Sequence, residues 1–227
     1  MRLEFRNIIN KHKNKPCVFL AHGGSLDKYD IGEITKDKVI VACNMWFRHF
    51  TFVPDYWVLC NMVTTVPVVS EKLKSIYDKK KKKPILCYAD SVDETNKKSA
   101  DKILNGMDYL SYDQRNFDNK NRKTIQEELQ NYCKQQQHFS TGHTVAVYAI
   151  ALCILLGCNP IEIYGLDLDY RTGYYKTLHD FDFEKYSHVA VIPGLTILDP
   201  TRLLTENDLS IIIKGANDIG IEVKRKS

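Results

Sequence analysis

The chain has 227 residues, of which 44% are hydrophobic and 11% aromatic, enough to bury one substantial core and too few to require two. Its formal charge of +4 is mildly basic. That balance suits an anionic small molecule and is too small and too dispersed for a nucleic-acid-binding surface, so nucleic acid is excluded as a partner.

The N-terminus carries charges with no hydrophobic segment after them, which excludes a signal peptide. The first patterned segment is Pro16-Cys-Val-Phe-Leu-Ala21, a compact apolar run that enters His22-Gly23-Gly24 and reads as a buried strand running into a glycine turn. Paired glycines let a backbone approach a ligand closely, and the hydroxyl of Ser25 with the free amides around it suits a phosphate oxygen. Gly-Gly-Ser is also an ordinary turn. It is neither a G-x-G-x-x-G fingerprint nor a Walker loop.

Val39 to Cys43 reads as a second strand and Tyr56 to Cys60 as a third. Each ends in an asparagine, Asn44 and Asn61, whose amide both donates and accepts and so suits a base or ribose. Trp46 and Phe47 would then form a wall. The competing reading makes Asn44 a turn residue and the aromatics core.

Val69 to Lys80 reads as a helix, followed by a lysine run at Lys79 to Lys83. That run is a solvated helix end or, alternatively, a weak attachment to an anionic membrane surface. A fourth strand, Pro84 to Tyr88, leads into helical stretches near Ser99 to Asn105 and at Thr124 to Gln136, with a polar loop at Asp113 to Lys123 between them.

The most informative stretch is Ser140 to Tyr170. Val145 to Leu156 is apolar on nearly every face, so the helix it forms must be buried, and it is too short to span a bilayer. Ser140 or Thr141 suits its N-cap and Gly157 its C′ position. Ser140, Thr141 and Gly142 also present small residues and free amides at the positive end of that helix, which suits a phosphate. His143 falls in the first turn. A fifth strand, Ile161 to Tyr164, then stops at Gly165-Leu-Asp167-Leu-Asp169, which puts carboxylates at a strand's carboxyl end, where open α/β sheets bind ligands. Asp167 and Asp169 would hold sugar hydroxyls or a divalent ion on a diphosphate, or alternatively a cap and an ion pair with Arg171. His179 and His188 follow, each of the type that serves as a general base near neutral pH. Asn207 to Gly220 reads as a last helix and Ile221 to Val223 as a last strand.

Seven cysteines, most of them within apolar runs and none in a C-x-x-C pair or zinc-ligand spacing, read as buried thiols in a reducing cytoplasm; no metal site is expected from them. The alternation of strands and helices predicts a single Rossmann-like, doubly wound, mostly parallel sheet with helices on both faces, a variant of the GT-A type, spanning residues 1–227 as one nucleotide-binding catalytic domain.

With these pieces in order, the chain resembles the bacterial sialyltransferases of glycosyltransferase family 42, together with the related motility-associated-factor and archaeal hydroxymethylpterin pyrophosphokinase group. The family's Gly-x-Gly-Pro-Ser-Leu turn is matched by Ala21-His22-Gly23-Gly24-Ser25-Leu26, its strand ending in Cys-Asn before an aromatic by Cys43-Asn44 and Trp46-Phe47, and its helix-then-Gly-x-Asp signature by Thr141-Gly142 through Asp167. The resemblance implies nucleotide contacts from Gly23, Gly24, Ser25, Asn44, Asn61, Ser140, Thr141, Gly142 and Asp167. It matches Tyr170 and the Tyr174-Tyr175 pair to tyrosines that support departure of the nucleotide phosphate. Two positions depart from it. His22 stands where the family carries an amide, and the stretch from Leu198 to Asn207 lacks the histidine that serves there as base, which leaves His188 or Asp169 for that part. The expected function is a glycosyltransferase of surface-glycan biosynthesis that uses a CMP- or UDP-linked sugar donor and a glycan or small alcohol as acceptor. The alternatives are a pyrophosphokinase with Mg²⁺ on ATP and a pterin-like alcohol, or a nucleotide-binding module without catalysis. An oligomer is compatible with the chain, which carries no dimerisation signature.

Overall fold

A computed structural model of the chain describes residues 3–44, 46, 52–59, 82–89, 108–112, 145–167 and 200–226. Seven strands form one sheet: β1 Cys17–Leu20, β2 Val39–Cys43, β3 Tyr56–Leu59, β4 Ile85–Ala89, β5 Tyr109–Tyr112, β6 Ile161–Tyr164 and β7 Val223–Lys226. Their order across the sheet is β5-β4-β3-β2-β1-β6-β7, and every pairing is parallel. The central strand β1 is fully buried: Cys17 and Phe19 face one side and Val18 and Leu20 the other. Parallel strands covered on both faces read as continuous apolar runs, which is why five of the seven lie within a residue or two of their expected positions.

Three boundaries differ from expectation. Strand β5 carries no apolar run, only Tyr109-Leu-Ser-Tyr112, and pairs at the sheet edge with β4. The last strand begins at Val223, because the Ile221 amide still donates to the Ala216 carbonyl and closes the preceding helix at Gly220 (φ +83°). That helix spans Pro200–Asp218 and starts earlier than expected, a proline being well suited to a first helical turn. The helices expected at Val69 to Lys80, Ser99 to Asn105 and Thr124 to Gln136 lie outside the described residues.

We label the described helices α1, Ile31–Thr35; α2, Val145–Leu155; and α3, Pro200–Asp218. Helices α2 and α3 pack on the Cys17 and Phe19 face, while Leu26 of the 3₁₀ turn Gly24–Lys28 and Ile31 and Ile34 of α1 cover the Val18 and Leu20 face with Trp46 and Trp57. Both faces are therefore covered, as in a doubly wound fold.

Every residue of α2 from Ala146 to Leu155 is buried, so the helix needs no polar face. It ends in a Schellman turn: Gly157 adopts φ +75°, its amide donates to Ile154, and the Cys158 amide donates to Cys153. The remaining terminal carbonyls, of Leu155, Leu156 and Gly157, accept from the amides of Asn10, His12 and Asn14. The N-terminal segment thus satisfies polar groups that a buried helix end would otherwise leave without partners.

The cysteines Cys17, Cys43, Cys87, Cys153 and Cys158 are free and buried, and burial pushes the Cys43 thiol up to about 12. No helix among the described residues is long and apolar enough to cross a membrane.

Among the described strands, the order reverses between β1 and β6. From β1 the chain proceeds to β2 on one side, and from β6 to β7 on the other, although β1 and β6 are neighbours. The chain leaves their carboxyl ends toward opposite sides of the sheet, the kind of switch point at which α/β sheets take ligands.

Candidate functional site

Beyond the ends of β1 and β6 the two chains remain joined. The Ala21 amide donates to Tyr164 at 2.9 Å and the Gly23 amide to Gly165 at 2.7 Å. Gly23 has an ordinary extended conformation (φ −70°, ψ 155°), so the glycine is required for space: a Cβ there would lie 2.5 Å from the Asp167 carboxyl carbon and 2.7 Å from the Gly165 carbonyl oxygen. Gly165 is required for both reasons, with φ +67° and a would-be Cβ 2.7 Å from Leu26.

The acidic loop meets the glycine turn through Asp167. One carboxylate oxygen accepts from the Ser25 amide at 2.8 Å, and the other accepts from the Ser25 hydroxyl. These are charge-assisted bonds, which are shorter and stronger than neutral ones. The backbone of the same loop is held as closely. The Gly165 carbonyl accepts from Gly23, and those of Leu166 and Asp167 accept from the Arg225 guanidinium at 2.9 and 3.2 Å. Three consecutive carbonyls and one carboxylate are thus fixed by partners on β1's turn and on β7.

The other wall is the end of β2. His22 Nε2 lies 2.7 Å from the Cys43 carbonyl. Burial holds its pKa down to about 4, so the ring is neutral at physiological pH. Because a carbonyl only accepts, Nε2 carries the proton and Nδ1 is the acceptor. Asn44 follows in the left-handed region (φ +45°), which asparagine tolerates. Its amide continues the ladder to Val58 at 2.8 Å, and its carbonyl accepts from the Trp57 indole at 2.6 Å. Trp46 stacks on Phe52 behind this turn, so the Trp46 expected as a wall is buried in the core.

Gly23, Gly24, Ser25 and Asp167 therefore come together across 142 positions of sequence between Ser25 and Asp167, and Asn44 lies on the neighbouring strand end, tied to them through His22. Asn61, Ser140, Thr141, Gly142, Asp169, Tyr170 and His188 lie outside the described residues, as do His143, His179 and the Asp113 to Lys123 loop. Among the described residues, no group of three or more histidine, cysteine, aspartate or glutamate side chains converges as a metal site would. Sequence reasoning passed over Arg225 and the indole of Trp57. The parallel register pairs Ile163 with Arg225, so an extra strand after the last helix, once placed beside β6, puts this basic residue next to the acidic loop.

The family profile described as 6-hydroxymethylpterin diphosphokinase MptE-like matches residues 1–173. The fold is also that of two solved structures. The sialyltransferase CstII from Campylobacter jejuni, in complex with a substrate analogue, cytidine-5′-monophosphate, matches with a TM-score of 0.56 and 13% identity over 94% of this chain and 80% of that one. A tyrosine-to-phenylalanine variant of sialyltransferase Cst-II, in complex with CMP, matches with the same TM-score and identity over 93% and 80%. At that identity the likeness is one of fold. No protein of curated function matches the chain. With the first 173 of its 227 residues matched to one profile, the chain belongs to the MptE-like family.

Proposed function

We propose that the protein is a nucleotide-dependent transferase whose donor binds at the switch point beyond the carboxyl ends of β1 and β6. The observation that carries this reading is the joining of Gly23, Gly24 and Ser25 to Asp167 at the one point where strand order reverses. In this reading the glycine turn approaches the phosphate, Asn44 and Asn61 contact base or ribose, and Ser140, Thr141 and Gly142 add the positive end of α2. Asp167 sets the turn and borders the ribose or phosphate.

The transferred group is a sugar from a CMP- or UDP-linked donor. The acceptor hydroxyl displaces the nucleotide phosphate at the anomeric carbon, its proton passes to His188 or Asp169, and Tyr170 helps the phosphate depart. The pairing of Asp167 with Ser25 favours this over the second reading, since each carboxylate oxygen already serves the turn. The second reading, supported by the family's description, is a pyrophosphokinase in which Asp167 and Asp169 would hold Mg²⁺ on ATP while a pterin-like alcohol attacks the β-phosphorus. The buried, free cysteines support a cytoplasmic setting.

Titration with CMP, UDP, GDP and ATP, each with and without Mg²⁺, tests both readings. Metal-independent preference for a pyrimidine nucleotide is the expected result. Binding of ATP alone, and only with Mg²⁺, would replace the first reading by the second. Tight binding of any of these without turnover of the corresponding donor would leave a binding module.

A further inference from the structure

We propose that Arg225 is a positioning residue of this site, one that sets the Asp167 carboxylate through the backbone and, through it, the Ser25 turn. The inference rests on the reading of this switch point as a nucleotide site for its consequence, though not for its geometry. Arg225 lies on the edge strand β7, and its guanidinium donates from Nε to the Leu166 carbonyl at 2.9 Å and from an Nη to the Asp167 carbonyl at 3.2 Å. A planar fork that grips two successive carbonyls fixes the peptide between them, which a single donor does not. From that peptide the Asp167 side chain reaches back to Ser25, accepting from both its amide and its hydroxyl. The opposite end of the loop is clamped by Gly23 and Leu26 against Gly165. With Gly165 held by β1's turn and the Asp167 backbone by β7, the carboxylate is placed within reach of the Ser25 turn. Arg225 is exposed, and an exposed arginine on an edge strand has little packing to contribute, so its bonds to the loop are what distinguish it from its neighbours Lys224 and Lys226. It also brings a positive charge to the end of the sheet where an anionic group is to bind.

The test is residue-resolved amide exchange on the ligand-free protein, together with CMP titration. Arg225→Met keeps the stem and removes both bonds. It is expected to speed exchange of the Ser25 amide by about tenfold relative to the Val41 and Phe19 amides of the central strands, and to weaken CMP binding by a similar factor. Arg225→Lys keeps the charge but not the fork, and is expected to recover less than half of either effect on a logarithmic scale. In an Asp167→Ala background, where the link to Ser25 is cut, Arg225→Met should change Ser25 exchange by less than twofold. The inference is overturned if Ser25 exchange is unchanged in Arg225→Met, if all sheet amides accelerate together, or if Arg225→Lys behaves as the parent, which would leave charge alone as the cause. Should the parent bind none of CMP, UDP, GDP and ATP, the nucleotide reading fails while the exchange comparison still decides the role of Arg225.

Discussion

Replacing Gly23 with alanine should unfasten the site while sparing the sheet. The backbone at Gly23 is extended, so alanine brings no conformational strain and the whole effect is one of contact. Its Cβ would sit 2.5 Å from the Asp167 carboxyl carbon, against about 3.4 Å for ordinary contact, so the carboxylate must retreat by roughly 0.9 Å, and the Gly165 carbonyl oxygen at 2.7 Å must shift as well, which makes the figure worked from the carboxylate alone a lower bound. A retreat of that size takes the 2.8 Å bond from the Ser25 amide to about 3.7 Å, beyond the range in which a hydrogen bond counts. A hydrogen bond to a charged group contributes about 1.5–3 kcal/mol, and restricting the unfolded chain returns about 0.4–1 kcal/mol. The net destabilisation should be about 1–2 kcal/mol, which for a chain of this size lowers Tm by roughly 2–8 °C. Denaturant unfolding of parent and Gly23→Ala measures it, and CMP titration of the folded variant should show binding weakened by about tenfold or more. Stability within ~0.5 kcal/mol of the parent, together with unchanged affinity, would refute the account of this glycine.

Asp167→Asn exchanges one acceptor for an amide that opposes a Ser25 donor. It should weaken nucleotide binding by an amount on the order of 1.5–3 kcal/mol with the fold retained; early melting with normal binding would make the carboxylate only a cap. His22, held down to about 4 by burial, takes up a proton later than the unfolded chain, whose value is ~6.5. Stability should therefore be flat above about pH 6.5 and fall between pH 6.5 and 4, by up to about 3 kcal/mol, and His22→Asn should flatten that part of the profile. Gly157→Ala, at φ +75° and with its Cβ 2.7 Å from Asn10, should cost at least ~1 kcal/mol of stability and leave nucleotide affinity unchanged, as it lies at the opposite end of the strands. His188→Ala should lower turnover by at least ~10²-fold without weakening nucleotide binding; a smaller loss would pass the role of base to Asp169.

The fold was legible where burial on both faces leaves a continuous apolar run, as in Cys17 to Leu20 or Val39 to Cys43, and where a helix has no polar face, as in Val145 to Leu155. It was illegible in Tyr109 to Tyr112, an edge strand with a serine between aromatics, and at the start of α3, where Pro200 looked like a loop residue and is a first-turn one. At the candidate site, the glycine turn and Asp167 could each be picked out from sequence, because each directly follows the carboxyl end of an apolar strand. Their mutual bond could not be read, since it depends on β6 being inserted beside β1, and that neighbourhood is a property of topology. Arg225 was missed for the same reason: only the parallel register with Ile163 turns a basic residue near the C-terminus into a partner of the acidic loop. Of the paired glycines in the turn, the structure shows a space constraint at Gly23, against Asp167 and Gly165.

The central claim is where the donor binds, and amide chemical-shift mapping of the labelled protein with CMP tests it most directly. The account predicts that the largest changes fall on Gly23, Ser25, Asn44 and Asp167, at the carboxyl ends of β1, β2 and β6. Changes concentrated on Asn10, His12 and Gly157, at the amino ends of the strands, or no change at millimolar CMP and none at millimolar UDP, would contradict it.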